Sequence, residues 1–277
     1  MSIEGLAELV ERRRPRAASG GPVFWPDVGG SAAGVSSHCV VLTGAGVSTE
    51  SGIPDFRSAG GIWQQYDPAE VASIAAFRRD PVRVWEFYAL RLDALANAEP
   101  NDGHRALAEL EERGWIRAVI TQNVDGLHRR AGSRDVVEVH GSLREAECIH
   151  CGVRVPMEDA VSSLPLPPCP ECGEVLKPGV VMFGELLPAA AIERAQELAA
   201  EAGLLLVVGS SLEVHPVAAL PGETLAAGGV LAIVNRGGTP WDSQAELVLD
   251  AGAGETLSAL AAALAIVEPD RPRRTRG

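Results

Sequence analysis

The sequence predicts an α/β fold, a doubly wound and mostly parallel sheet covered by helices on both faces, carrying a smaller module that is part helical and part cysteine-bearing. Two observations predict it. Short apolar runs at Cys39–Leu42, Ile116–Ile120, Leu204–Val208, Leu231–Val234 and Leu247–Leu249 read as strands buried on both faces, with helical stretches such as Ala189–Ala202 between several of them. Several of these runs also end in small polar or glycine-rich loops, where open parallel sheets bind ligands. A chain of 277 residues, 46% apolar, is long enough for one such domain and an inserted module.

Residues 1–37 combine arginines with Gly20, Gly21, Gly29, Gly30 and Gly34 and with Pro15, Pro22 and Pro26, so a loosely held extension is expected there. The catalytic-sized domain spans 38–266. Its first strand, in which Cys39 is a small core residue, runs into Thr43-Gly44-Ala45-Gly46-Val47-Ser48. Glycines at such a turn let the backbone approach a phosphate while the next helix offers unpaired N–H groups, although a plain strand-to-helix turn has the same pattern. Residues 60–110 look helical without strands. The second strand ends at Thr121-Gln122-Asn123-Val124-Asp125-Gly126-Leu127-His128, whose amides and carboxylate exceed what a turn needs. Residues 144–176 hold four cysteines around Pro165, Pro167 and Pro168, and with 60–110 they form the expected module. Gly209-Ser210-Ser211-Leu212 and Asn235 follow two later strands, and 267–277, with Arg271, Arg273, Arg274 and Arg276, form a basic tail.

Cys148-x2-Cys151, seventeen residues and Cys169-x2-Cys172 give the spacing by which two knuckles bring four thiolates to one tetrahedral zinc. Four thiolates leave no open position, so that ion is structural, and His150 is read as a surface residue. With 37 acidic against 24 basic residues, the net charge of −13 opposes binding to nucleic acid. No apolar run approaches the roughly 20 residues of a membrane span. Glu4, Glu8 and Glu11 precede Arg12, Arg13, Arg14 and Arg16 with no apolar stretch after them, so no secretory signal and a cytoplasmic location are expected.

In order and spacing these motifs resemble the sirtuins, NAD-dependent protein-lysine deacylases, over about residues 38–265. The resemblance rests on Gly44-Ala45-Gly46-Val47-Ser48, Gly52-Ile53-Pro54-Asp55-Phe56-Arg57, Thr121 to His128, Val139-His140-Gly141, the four cysteines, Phe183-Gly184-Glu185, Gly209-Ser210-Ser211-Leu212 and Asn235. It implies a Rossmann-like sheet domain with a zinc-ribbon module (Cys148, Cys151, Cys169, Cys172). It also implies NAD bound by Gly44, Ala45, Gly46, Ser48, Asp55, Phe56, Arg57, Trp63, Gln122, Asn123, Val124, Asp125, Gly209, Ser210, Ser211, Asn235, Arg236 and Gly237. NAD is then consumed rather than used for redox. The acyl-lysine carbonyl oxygen attacks the ribose carbon as nicotinamide leaves. His140, the general base, next activates a ribose hydroxyl against the resulting imidate, and the acyl group departs on ADP-ribose. An imidazole with an ordinary pKa of about 6.5 suits that task. His38, His104 and His215 are read as ordinary, and His128 as bracing its loop.

Tyr88 and Arg91 stand three apart, so on a helix they share a face and can hold a carboxylate. The pair, with small Ala72 sixteen residues before Tyr88, resembles the branch that removes succinyl and malonyl groups. Gly179 and Met182 depart from that branch, which more often has histidine and tryptophan there, and Asp55 is also the choice of plain deacetylases. Val181 and Phe183 would lie along the channel where the substrate peptide pairs as an added strand. The expectation is a desuccinylase and demalonylase with some deacetylase activity, acting on acylated-lysine proteins. A plain deacetylase, a mono-ADP-ribosyltransferase and a non-catalytic NAD or ADP-ribose reader are the alternatives.

Overall fold

A computed structural model describes residues 2–13 and 38–266. Helix α1 (Ile3–Arg12) starts where the Ser2 hydroxyl accepts the Gly5 N–H, and it buries Leu6, Leu9 and Val10 along one stripe. The loosely held extension expected over 1–37 is therefore corrected at its beginning. A three-turn amphipathic helix vanishes when composition is averaged over thirty-seven residues rich in glycine and proline. Residues 14–37 and the tail 267–277 lie outside the described residues.

The chain continues through β1 (His38–Thr43), 3₁₀ turns Ala45–Ser51 and Ile62–Gln64, α2 (Pro68–Val71), α3 (Ile74–Arg79), α4 (Pro81–Ala96), α5 (Asp102–Glu112) and β2 (Ile116–Thr121). Then follow α6 (Leu127–Ala131), β3 (Val136–Glu138), β4 (Gly141–Glu147), β5 (Arg154–Pro156), α7 (Met157–Val161) and β6 (Lys177–Val180). Last come α8 (Ala189–Glu201), β7 (Ala202–Val208), α9 (Leu220–Ala226), β8 (Val230–Val234), β9 (Leu247–Leu249) and α10 (Ala253–Ile266). Six strands form a parallel sheet in the order β3-β2-β1-β7-β8-β9, with Leu42 opposite Ile120 and Val207. Three more, β5-β4-β6, form an antiparallel sheet.

Alternate residues of the parallel strands point to opposite faces. Val41, Val119, Leu206 and Ala232 pack with α1, α5 and α10, whereas Val40, Leu42, Ile120, Leu205 and Val207 pack with α8 and α9. A third core stands apart from both. In it Val84, Trp85, Phe87 and Tyr88 of α4 meet Leu143, Ala146, Leu176, Val180 and Met182 around the small sheet, and the Trp85 indole N–H donates to the Leu176 carbonyl at 2.8 Å. The expected module is thus present, but its helical part stops with α4. Ala106, Leu107 and Leu110 of α5 belong to the sheet domain's core, so the 60–110 boundary is corrected. Helical periodicity reveals a buried stripe without saying which core receives it.

Candidate active site

All six strands of the large sheet run parallel, so their carboxyl ends share one edge. The sequence order reverses on either side of β1, and the crevice at such a switch is where open sheets bind ligands. The loops that follow β1, β2, β7 and β8 line one cavity of about 600 Å³ there, together with residues of the small module. The glycines of the first loop serve packing as much as any ligand. A Cβ on Gly46 would stand 2.8 Å from the Gly209 Cα, and one on Gly44 would stand 2.8 Å from the Gly209 carbonyl oxygen. Two loops can therefore lie backbone against backbone. The helix expected to follow is a seven-residue 3₁₀ turn, Ala45–Ser51.

Beneath the cavity Ser48 organises a polar network. Its hydroxyl donates to Asp125 Oδ2 at 2.7 Å and accepts from the Asn123 amide at 3.0 Å. His104 Nδ1 accepts the Asn101 N–H at 3.3 Å, which leaves Nε2 protonated and facing Ser48 Oγ at 3.4 Å. The His104 and His128 rings lie 4.8 Å apart, and His128 Nε2 is 2.9 Å from Thr43 Oγ1. Burial pushes the first ring down to about 4 and the second to about 3, so both are neutral at neutral pH. Gln122 bridges two loops by donating to Ser210 Oγ at 2.8 Å.

His140 lines the same cavity, with Nδ1 3.0 Å from the Gln122 carbonyl oxygen. A carbonyl only accepts, so the proton sits on Nδ1 and Nε2 keeps its lone pair. Burial lowers the ring's pKa, partly offset by that hydrogen bond, so the neutral form dominates at pH 7. The His140 carbonyl in turn accepts the Val181 N–H at 2.9 Å, which ties the imidazole to the segment after β6.

The module side supplies Ala72, Tyr88, Arg91, Val181 and Phe183 to the cavity wall, with Phe183 half exposed. Arg91 lies over the Phe56 ring, 5.0 Å from its centroid, and no ion pair to a carboxylate is formed by it among the described residues. Burial lowers the Arg91 pKa and raises that of the Tyr88 phenol. At the opposite lip Arg57 Nε meets Glu213 Oε2 at 3.0 Å, both half exposed.

Every residue expected to contact NAD or substrate lines this cavity except Gly237. Gly237 lies next to the lining residue Arg236 in a left-handed turn (φ 87°) whose N–H donates to Asp250 and whose carbonyl accepts from the Asn235 amide. Ile53, Pro54, Phe87, Glu185 and Glu213 also line it, and so does His215, which the sequence reading takes as ordinary. Ile53, Pro54 and Glu185 stood inside quoted motifs, whereas nothing local marks His215. His104, read as ordinary, proves wholly buried in the Ser48 network.

Away from the cavity the four cysteines converge, all Sγ atoms within 4.8 Å of one another, with Cys148 to Cys172 at 3.5 Å and Cys151 to Cys169 at 3.6 Å. Zn–S bonds of about 2.3 Å imply sulfur separations of roughly 3.8 Å, so the cluster fits one tetrahedral zinc. Backbone N–H groups of Cys151, then His150, pull the Cys148 thiol down to about 6, whereas loss of solvation and the neighbouring sulfurs raise the thiols of Cys151 and Cys172. His150 is exposed.

Residues 44–216 match the Sir2 family. An NAD-dependent protein deacylase 1 of Archaeoglobus fulgidus is 46% identical over 225 residues, covering 81% of this chain and 92% of the relative. The chain belongs to the Sir2 family. An NAD-dependent protein deacetylase of Sulfurisphaera tokodaii is 48% identical over 217 residues, 77% of this chain and 86% of its own. Among solved Sir2 structures, a homologue in complex with NAD is 44% identical with a TM-score of 0.79, covering 83% of this chain and 90% of that one. A Sir2–p53 peptide–NAD⁺ structure is 36% identical with a TM-score of 0.80, covering 96% and 100%. The Sir2 assignment and the six-stranded parallel sheet thus agree with the fold expected from sequence.

Proposed function

We propose that this Sir2 protein is an NAD-dependent protein-lysine deacylase that favours short acidic acyl groups, succinyl and malonyl, over acetyl. NAD, a consumed co-substrate, supplies an anomeric carbon whose bond to nicotinamide breaks. The loop Gly44–Ser48, with Ser210, Ser211, Asn235 and Arg236, holds its phosphates and adenosine. Gln122, Asn123 and Asp125 line the nicotinamide and ribose end, and Phe56 and Trp63 shield it. His140 takes a ribose hydroxyl proton on Nε2 while Gln122 steadies the proton on Nδ1. Val181 and Phe183 receive the peptide as an added strand.

The observation that carries the acyl preference is Arg91. A partly buried guanidinium beside the Tyr88 hydroxyl, with an aromatic ring beneath it and the Coulomb attraction of Asp125 but no ion pair among the described residues, suits a further anion. Small Ala72 leaves room for one. The zinc, held by Cys148, Cys151, Cys169 and Cys172, is structural, and metal-ligating thiolates in place of disulfides suit a reducing cytoplasm.

Nicotinamide release from NAD with acetyl-, succinyl- and malonyl-lysine peptides tests this reading. Arg91→Met is expected to lose desuccinylation by roughly 10- to 100-fold, the worth of a charge-assisted hydrogen bond, and to retain deacetylation. Equal loss on every peptide assigns Arg91 a structural role and leaves a plain deacetylase. Label passing from NAD to protein without acyl-lysine indicates an ADP-ribosyltransferase instead.

A further inference from the structure

Lys177 opens β6 and is 1% exposed, among the largest wholly buried side chains. Its ammonium lies among four oxygens, Glu147 Oε1 at 2.9 Å, Glu185 Oε2 at 3.1 Å and the carbonyls of Val180 and Pro178 at 2.6 and 3.1 Å. A buried charge is tolerated only with such partners, and losing one of them is costly. The two carboxylates belong to different structures. Glu147 ends β4 beside Cys148 of the cysteine cluster, whereas Glu185 stands within the cavity-lining segment and its Oε2 also accepts the Met182 N–H at 2.8 Å.

The same segment is stitched elsewhere by backbone bonds alone. Phe183 N–H donates to the Ala72 carbonyl at 2.9 Å, Ile74 N–H to the Phe183 carbonyl at 3.0 Å, and Val181 N–H to the His140 carbonyl at 2.9 Å. Those bonds set the middle of the segment. At its far end a side-chain charge does the holding.

We propose that Lys177 is a positioning residue for substrate binding, which through Glu185 fixes the segment 181–185 against the cysteine-bearing sheet so that the acyl peptide meets a preformed strand. The proposal rests on the reading that Val181 and Phe183 receive the peptide. Lys177 touches no substrate and acts by removing slack from the segment that does.

The test compares Lys177→Met, Glu185→Gln and the double variant by Michaelis constants for acyl peptide and for NAD, by hydrogen exchange at 181–185 and by zinc content. In Lys177→Met the peptide KM is expected to rise roughly tenfold with the NAD KM changed by less than about twofold, and the double variant to be no worse than the worse single one. The Val181 and Met182 amides should exchange faster while those of β1 and β7 do not, with zinc fully retained. Should Lys177→Met fail to fold, Glu185→Gln, which keeps an oxygen for the Met182 N–H, carries the same readings. Additive losses, both KM values rising together, or exchange quickening evenly across the sheet domain would overturn the proposal. A peptide KM unmoved by Phe183→Ala defeats the channel reading by itself. Exchange at Met182 then still decides whether Lys177 holds the segment.

Discussion

The proton of His140 is pinned to Nδ1 by an oxygen that cannot donate, and this one hydrogen bond leaves Nε2 the free lone pair that the proposed base role requires. Replacing it by tyrosine should lower kcat by about 10²- to 10⁴-fold, the usual worth of a general base, while NAD still binds. Single-turnover kinetics beside calorimetric titration with NAD checks both halves. Burial holds the ring's pKa below 6.5, so the acid limb of kcat/KM should fall below pH 6.5 and the rate at pH 7 should already be on the plateau. His104 and His128 make the corresponding claim for stability. They titrate near 4 and 3 when folded and near 6.5 when unfolded, so in between the unfolded chain holds more protons. Their contribution is complete above pH 6.5 and is lost as the pH falls, down to about 4 for His104 and about 3 for His128. Urea melts at pH 7, 6 and 5 should show that decline, and a flat profile would mean the rings are not neutral in the fold. The place of His140 on the cavity wall was legible in sequence because it sits inside a motif. His104 and His215 were not, since burial against Ser48 and a place on the cavity wall are set by elements distant in the chain.

Among elements, the strands were the most legible, because a strand buried on both faces must be apolar throughout, and β7 is buried at each of its seven positions. The glycine loop was legible as a tight turn, but its dependence on Gly209 is a contact across more than 160 residues that no local pattern carries. Helix α1 was hidden by its neighbours. Its stripe of Leu6, Leu9 and Val10 completes the face shared with α10, so Leu9→Ala should cost about 2–5 kcal/mol, measurable as a lowered denaturant midpoint with unchanged slope. The zinc ribbon was readable from spacing alone, since four thiolates at those intervals have few other uses. Cys172→Ser should release the ion and loosen β4, β5 and β6 together, seen as zinc lost to a chelating dye and weakened protection of that sheet.

At the scale of the whole chain, the acidic balance of −13 suits a partner that is basic, as a lysine-rich peptide is. Among the described residues no helix is long and apolar enough to cross a membrane. The division into a sheet domain and a module was visible in the sequence, because the four cysteines and the strandless stretch interrupt its rhythm. The side to which α5 belongs was not, because that choice depends on the packing of whole elements. The cavity lies between two bodies that share no buried core residue, the parallel sheet with a core on each face, and α4 with the small sheet around a third. Heating the free protein should therefore melt the two in separate calorimetric events, and NAD with acyl peptide, gripping both, should merge them into one. Were the two events to merge in that way, the reactants would act as mortar between two blocks, and part of the chain's rigidity would arrive only with the molecules it transforms.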